Sequence, residues 1–190
     1  MSNKAQIAVF ASGEGTNFEA IVRACECGEL EADVVLLICD RPNAHVVQRA
    51  AEHGVECFAV SPKQFGSKEE YETRIVELLN ARHVELICLA GYMRIVGSVL
   101  LESYAGRIIN IHPSLLPAFR GARAVEQAIE AGVKVFGITI HYVDASLDGG
   151  RIISQRAFEY EGDSAEEVHR LGQQIEHRMY VETIKKLIKQ

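Results

Sequence analysis

The sequence predicts an α/β fold: one domain with a doubly wound, mostly parallel sheet and helices on both faces. Three observations lead to this prediction. Short apolar runs alternate with amphipathic helical patterns along the whole chain. The apolar runs are rich in β-branched residues, which strands favour. The 190 residues contain no repeat, linker or low-complexity segment, so a single domain over residues 1–190 is the simplest organisation.

The N-terminal half has a Rossmann-like alternation of strands and helices. Its apolar runs predict four strands, and the segments between them have helical spacing. A helix is expected to begin after Ser67, because a serine N-cap is followed by acidic residues and by apolar residues three and four apart. The strands are "IAVFAS" at 7–12, "DVVLLICD" at 33–40, "CFAV" at 57–60 and "VELICLA" at 84–90; the earlier helices cover 17–28 and 43–53.

The C-terminal half continues the pattern with longer strands. "GRIINIH" is expected to form a fifth strand, between helices near 95–105 and 123–131. "KVFGITIHYV" and "RIISQRAFEY" are expected to form two strands around a turn at "DASLDGG". The tail from Ser164 is expected to be one long amphipathic helix.

Composition excludes several classes of protein. The net charge is −6 and there is no basic block, so nucleic acid is not expected as a main partner. No apolar run approaches the roughly 20 residues of a membrane span, and the N-terminus lacks a signal-peptide layout. We therefore expect no membrane partner and a cytoplasmic location. The five cysteines have neither zinc-site nor Cys-x-x-Cys spacing, so we expect reduced structural thiols and no metal site.

The turn after the first strand is a candidate phosphate site. "SGEGTN" places Gly15, Thr16 and Asn17 where a strand gives way to a helix. Free amides and the helix dipole at such a terminus suit a phosphate group. The spacing is not that of a Walker A loop. The alternative is an ordinary tight turn in which Thr16 or Asn17 caps the helix.

Asn110 and His112 form a second candidate site. Alternate residues of a strand point to one face, and these two come where the fifth strand ends, the end at which parallel sheets bind ligands. Amide and imidazole donors together suit a developing oxyanion. Asp148, in "SLDGG", is the leading candidate for a carboxylate that orients His112, although spacing alone does not show that it reaches the ring. For a single histidine here, the alternative is a satisfied surface group, and for Asp144 it is a turn residue.

Taken together, these residues resemble the phosphoribosylglycinamide formyltransferases of purine synthesis. The matching segments are "SGEGTN", "LAGYMRIV", "NIHPSLLPAF", "HYVDASLDGG" and "QQIEHRMY", in the family's order over nearly the whole chain. The resemblance implies the formyltransferase fold and transfer of a formyl group from 10-formyltetrahydrofolate, a co-substrate, to the amine of glycinamide ribonucleotide. It implies Asn110, His112 and Asp148 as the catalytic residues, with no metal and no cysteine nucleophile.

The resemblance also implies binding roles for further residues. Gly15, Thr16, Asn17, Gln173 and Glu176 would contact the ribonucleotide; from the residues alone, Gln173 and Glu176 read as a solvated helix face. The Leu116–Pro117 bond is expected to be cis. The implied folate contacts are Lys68, Met93, Arg94, Ile95, Val96, Asn110, Asp144, Ala145, Ser146, Leu147 and Asp148. For Lys68 a surface lysine is an equal alternative, and Met93, Ile95 and Val96 would otherwise read as core residues.

The chain departs from the family's pattern in one loop. Arg120-Gly121 stands where the family often has Pro-Gly, and Arg123 stands where a histidine is common. "FRGA" is similar to the methionyl-tRNA formyltransferases. Rival interpretations are therefore such an enzyme's core, a formyltetrahydrofolate hydrolase, or a nucleotide-binding module without catalysis. The sequence leaves the oligomeric state open, a homodimer included.

Overall fold

The computed structural model describes residues 4–189. Its seven strands form one sheet in the order β3-β2-β1-β4-β5-β6-β7. The strands are β1 (Ala5–Ala11), β2 (Ala32–Cys39), β3 (Cys57–Ala59), β4 (Leu86–Leu89), β5 (Ile108–His112), β6 (Val135–Tyr142) and β7 (Ile152–Glu159).

Six α-helices connect and follow the strands. They are α1 (Thr16–Glu26), α2 (His45–Glu52), α3 (Lys68–Ala81), α4 (Ser98–Ser103), α5 (Ala124–Glu130) and α6 (Ala165–Leu187). Ser67 and Ser164 cap α3 and α6 by accepting hydrogen bonds from Glu70 and Glu167 amides, so both predicted helix starts are confirmed.

The topology confirms the predicted fold class. Strands β1 to β5 pair in parallel, while β6 and β7 pair antiparallel as a hairpin. The largest difference from the predicted elements is at α4, which was expected over 95–105 and is only Ser98–Ser103. Residues 91–97 instead form an irregular loop between β4 and α4. We call this segment the folate loop because it carries four of the eleven residues that the resemblance assigns to folate, Met93 to Val96.

Helices cover both faces of the sheet. In β1, Ile7 and Val9 face a core formed with α1, α2 and α6, whereas Ala8 and Phe10 face a second core formed with α3 and α4. This alternation follows from the two-residue period of a strand. A third cluster packs α5 and the start of α6 against the β6–β7 hairpin.

At β5 and β6 the α3/α4 side of the sheet becomes polar. Ile109 packs into the α6 side, while Asn110 and His112 point to the opposite face. The antiparallel register sets Asn110 beside His141 and His112 beside Thr139. The sheet therefore collects an amide, two imidazoles and a hydroxyl on one polar surface.

None of the helices within residues 4–189 has the length and apolarity needed to cross a bilayer. Over the same range, no three His, Cys, Asp or Glu side chains are grouped so as to hold a metal ion. All five cysteines are free, and Cys39 and Cys88 are fully buried, as their positions in strands predict.

Candidate active site

Asp148 reaches the polar surface of β5. One of its oxygens, Oδ2, lies 3.5 Å from His112 Nδ1 and accepts a hydrogen bond of 2.8 Å from the Gly121 amide. The 3.5 Å separation is too long for a strong hydrogen bond. The structure thus brings Asn110, His112 and Asp148 together, as the sequence predicts.

His141 is a fourth member of this group, and sequence reasoning missed it. Its Nε2 lies 3.2 Å from Asn110 Nδ2 and 3.7 Å from Asp148 Oδ1. The ring is buried, and it stands between the amide and the carboxylate. It connects Asn110 to Asp148, which form no hydrogen bond with each other.

The contacts of His141 indicate its protonation state. Nδ1 lies 2.9 Å from the Tyr142 carbonyl oxygen, an acceptor, so Nδ1 carries the proton and donates. Burial lowers the pKa of His141, which favours the neutral ring. Its Nε2 then accepts a hydrogen bond from Asn110 Nδ2. This bond fixes the orientation of the Asn110 amide, with Nδ2 and not Oδ1 facing His141.

Residues 113–123 form a loop that folds over His112 and Asp148. His112 Nε2 donates to the Phe119 carbonyl oxygen at 2.9 Å, and Gly121 donates to Asp148. The loop therefore contacts the imidazole and the carboxylate through its backbone, so its conformation decides whether these groups are accessible.

Thr139 and Gln155 hold the base of this loop. Thr139 Oγ1 donates to the Ser114 carbonyl at 2.7 Å and accepts from the Leu116 amide at 3.1 Å. Gln155 Nε2 donates to the Leu116 carbonyl at 3.0 Å. The loop is thus attached to the hairpin by two buried hydrogen bonds from Thr139 and one partly buried bond from Gln155.

Leu115 adds an apolar attachment. Its side chain fills the space beside Gly137, where an added Cβ would lie 2.6 Å from the Arg156 carbonyl oxygen and would also collide with Leu115. A glycine in the middle of β6 is therefore explained by the loop that packs on it.

The Leu116–Pro117 bond in the same loop is cis, which confirms the prediction.

The predicted phosphate loop begins α1 without a side-chain cap. Gly15 is the N-cap residue in the left-handed region, with φ of 74°, and its place against Val46 leaves no room for a side chain. The first amides of a helix have no partner within the helix. The terminus of α1 therefore presents free donors, as an anion site requires.

Gln173 and Glu176 meet this terminus from α6. Gln173 Nε2 donates to Thr16 Oγ1 at 2.9 Å, and Asn17 Nδ2 donates to Glu176 Oε2 at 2.8 Å. All five predicted ribonucleotide residues are thus brought together. Burial raises the pKa of Glu176, and the Asn17 hydrogen bond opposes that rise.

The folate loop exposes two large apolar side chains. Met93 is 67 % exposed and Ile95 is 72 % exposed, which is unusual for such residues and is typical of a binding surface. Val96 differs from the expectation, because its side chain is buried in the α3/α4 core. Only the backbone of Val96 is available to a ligand.

Two predicted folate contacts that carry a positive charge lie beside carboxylates. Arg94 is 3.8 Å from Asp40, and Lys68 is 3.9 Å from Glu72. Both cations are partly exposed, so they retain surface for a ligand.

The turn of residues 144–148 is shaped by its first aspartate. Asp144 Oδ1 accepts from the Ser146 amide at 2.8 Å and from the Ser146 hydroxyl. This Asx turn confirms the alternative interpretation of Asp144 as a turn residue. Ala145 is exposed, and Leu147 is 57 % exposed, so the turn adds another apolar surface.

Comparison with known proteins identifies the chain. A profile described as formyl transferase matches residues 5–184. A phosphoribosylglycinamide formyltransferase of Bacillus subtilis is 50 % identical over 184 residues, which are 96 % of this chain and 94 % of that protein. The chain belongs to the phosphoribosylglycinamide formyltransferase family.

Solved structures agree in fold and length. The phosphoribosylglycinamide formyltransferase of Bacillus halodurans superposes with a TM-score of 0.93 at 50 % identity, covering 96 % of this chain and 95 % of that one. Glycinamide ribonucleotide transformylase 1 of Geobacillus kaustophilus has a TM-score of 0.94 at 47 % identity, covering 97 % and 99 %. The protein is therefore a formyltransferase, and the recognition made from its motifs is confirmed.

The two arginines expected to depart from the family's pattern lie on the surface of the loop of residues 113–123. Arg120 and Arg123 are exposed, and Arg123 has a φ of 60° and lies 3.8 Å from Glu130. The Arg120 carbonyl oxygen accepts from Gln127 Nε2 at 3.3 Å. Neither side chain forms a hydrogen bond or ion pair with Asn110, His112, His141 or Asp148.

A signal for His141 was present in the sequence of this formyltransferase. "ITIHYV" carries Thr139 and His141 two apart in an otherwise apolar strand, the same spacing as Asn110 and His112. Two such strands side by side on one face predict a polar patch. The pairing of β5 with β6 was needed to bring them together.

Proposed function

We propose that this formyltransferase transfers the formyl group of 10-formyltetrahydrofolate to the amine of glycinamide ribonucleotide. The observation that supports this most is the convergence of Asn110, His112, His141 and Asp148 on one polar surface. The products are formylglycinamide ribonucleotide and tetrahydrofolate, and the reaction belongs to purine synthesis.

Asn110 and His112 stabilise the transition state in this proposal. Attack by the amine nitrogen on the formyl carbon forms a C–N bond and places negative charge on the formyl oxygen. The Asn110 amide and the His112 imidazolium donate to that oxygen, and each such donor typically contributes a few kcal/mol to the barrier reduction. His141 keeps the Asn110 amide oriented by accepting one of its two N–H bonds.

Asp148 orients His112 and receives a proton. The attacking amine loses a proton as the new bond forms, and Asp148 takes it directly or through one water. Collapse of the intermediate breaks the bond to the folate nitrogen, and that nitrogen gains a proton. Atoms and charge therefore balance without a covalent enzyme intermediate.

The ribonucleotide is positioned by α1 and α6. Its phosphate binds the free amides that follow Gly15, and Glu176 attracts the substrate amine. Within the described residues, Asn17 Oδ1 is buried without a hydrogen-bond partner. A substrate donor would satisfy this oxygen, which supports the assignment.

The folate co-substrate lies against the exposed apolar side chains of Met93, Ile95 and Leu147, with backbone groups reading the polar edge of its ring. The Phe119 carbonyl oxygen occupies the position beside His112 Nε2 that the formyl oxygen needs. Binding of the formyl group therefore requires the loop of residues 113–123 to shift.

The proposal also covers organisation and location. Residues 1–190 act as one catalytic domain in the cytoplasm, on small molecules and without nucleic acid or membrane partners; the charge of −6 supports the absence of a polyanion site. A homodimer remains a prediction that sedimentation velocity tests.

The decisive experiment is an assay of purified protein with 10-formyltetrahydrofolate and, in parallel reactions, glycinamide ribonucleotide, methionyl-tRNA or water alone as the acceptor. Formyl transfer to glycinamide ribonucleotide is expected. Formate release in its absence would identify a hydrolase, and transfer to methionyl-tRNA would identify the other formyltransferase. Binding of the ribonucleotide without turnover of folate would leave only a nucleotide-binding module.

A further inference from the structure

We infer that Ser12, Asp40 and Glu72 are positioning residues that hold the folate loop at its two ends. This inference rests on the proposed function, since it concerns how the co-substrate site keeps its shape. None of the three contacts the reacting groups.

The first anchor is the Ser12–Asp40 pair. Ser12 Oγ accepts from the Met93 amide at 2.9 Å and donates to Asp40 Oδ1 at 2.5 Å. The other carboxylate oxygen of Asp40 lies 3.8 Å from Arg94. Ser12 and Asp40 are both buried, so the chain of contacts runs from the sheet interior to two successive residues of the folate loop.

The second anchor is Glu72 of α3. Its Oε1 accepts from the Gly97 amide at 2.7 Å, and its Oε2 accepts from the Leu100 amide at 3.4 Å. It serves as the cap of α4, because the N-cap position is Gly97 and has no side chain. An added Cβ at Gly97 would lie 2.7 Å from a Glu72 oxygen, so the fit is close.

The chemistry of these anchors points to positioning. A buried carboxylate is costly unless it is hydrogen-bonded, and both of these are. Each also faces a cation of the predicted folate site, Arg94 for Asp40 and Lys68 for Glu72. The carboxylates therefore position the backbone of the loop together with two charged side chains, Arg94 within the loop and Lys68 on α3.

The two anchors differ in reach. The Ser12 backbone amide also donates to the Gly91 carbonyl at 3.1 Å, and Ser12 is the first residue of the candidate phosphate segment "SGEGTN". Loss of the Ser12–Asp40 contact should therefore weaken the binding of both substrates. Within residues 4–189, the polar contacts of the Glu72 side chain are with Gly97, Leu100 and Lys68, so loosening it should weaken the binding of folate alone.

A hydrogen-exchange measurement tests the anchors without any substrate. In Ser12→Ala and Asp40→Ala, the Met93 amide should lose protection, whereas in Glu72→Ala the Gly97 and Leu100 amides should lose it. Glu56→Gln, which alters an exposed carboxylate paired with Arg82, is the matched control and should leave all three amides unchanged. Unchanged protection in all the alanine variants overturns the inference, whether or not the protein transfers formyl groups.

Kinetics then test what the anchors do. Glu72→Ala should raise the Michaelis constant for folate about tenfold and leave that for the ribonucleotide within about threefold, because a charge-assisted hydrogen bond is lost on one side only. Asp40→Ala should raise both constants. If both variants keep the Michaelis constants of the unaltered protein for folate and for the ribonucleotide, the positioning role is overturned.

The conservative variants cover the case in which an alanine variant fails to fold. Asp40→Asn still accepts from Ser12 but no longer attracts Arg94, so protection of Met93 should remain while folate binding weakens. Glu72→Gln should keep the Gly97 bond and lose the attraction to Lys68. If the unaltered protein transfers no formyl group but its Met93, Gly97 and Leu100 amides are protected and lose protection in the alanine variants, the proposed function is contradicted and the positioning inference is not.

Discussion

The two sides of the active site are built differently. On the side proposed for the ribonucleotide, side chains from α1 and α6 are already hydrogen-bonded to one another, Gln173 to Thr16 and Glu176 to Asn17. On the side proposed for folate, Met93, Ile95 and Leu147 are exposed on loops and more than half accessible. Helices hold the first surface, and loops present the second.

The difference matches what each ligand would need. A phosphate and an amine are recognised by directed hydrogen bonds and charge, which require donors at fixed positions. A flat aromatic ring is recognised mainly by apolar contact, which tolerates flexible side chains such as methionine. Chemistry lies between the two sides, where β5 and β6 hold the polar residues on a rigid sheet.

The largest effect should come from the centre, where Asp148 belongs to a folate-side turn but faces His112. Asp148→Asn should lower turnover by about a hundredfold to ten-thousandfold with modest changes in both Michaelis constants, because the lost charge acts in the transition state. Asparagine tolerates the φ of 46° at this position, so the fold should persist. Steady-state kinetics over a range of pH provide the measurement.

His112→Ala gives the companion test. Its loss should be similar, and the double variant should be no worse than either single one, because the two groups act as a unit. Near-normal turnover of Asp148→Asn would show that Asp148 belongs to folate binding after all.

The next effect should separate the ribonucleotide side. Gly15→Ala should raise the Michaelis constant for the ribonucleotide roughly tenfold or more and leave that for folate nearly unchanged, because a Cβ would press on Val46 and displace the amides of α1. Gly28→Ala is the matched control: it has a φ of 77°, lies past the other end of α1 and meets no atom within 4 Å. Equal effects on both substrates would remove the distinction between the sides.

A smaller effect is expected on the folate side. Leu147→Ala and Met93→Ala should each raise the Michaelis constant for folate about threefold to tenfold, since each removes apolar contact worth about 0.8 kcal/mol per buried CH₂. Val135→Ala, at a residue that is 49 % exposed on β6, is the control for loss of a surface apolar group. No change in either loop variant would indicate that folate is bound through the backbone alone.

The smallest effect concerns stability. Because burial raises the pKa of Glu176 above 4.5, ionising it costs native-state free energy, and this cost is present above the raised pKa and vanishes below 4.5. Glu176→Gln should therefore raise the melting temperature by about 2–4 °C near neutral pH and give no gain at acid pH.

Glu167→Gln on the same helix is the control of opposite sign. Arg170 lowers the pKa of exposed Glu167, so this variant should gain nothing at neutral pH. A gain for Glu176→Gln that persists below pH 4.5 would contradict the burial argument.

Sequence predicted most of the architecture because strand and helix periods are local properties. The capped starts of α3 and α6 are examples, and β1, predicted over 7–12, is found at Ala5–Ala11. Within the site, Asn110 and His112 were found because they are two apart on one strand. His141 was missed because its place depends on pairing between β5 and β6. The start of α4 was placed near 95 instead of at Ser98 because the apolar residues before Ser98 continue the helical pattern.

The contact of Leu115 with Gly137 has a consequence for how this enzyme tolerates mutation. Gly137 is in the middle of β6 and carries no functional group, yet the loop that covers His112 and Asp148 rests on it. Any larger residue there would lift Leu115 and carry the Phe119 carbonyl and Gly121 amide with it. Selection for catalysis would therefore act on a strand position that no substrate touches, and a scan limited to pocket residues would overlook it.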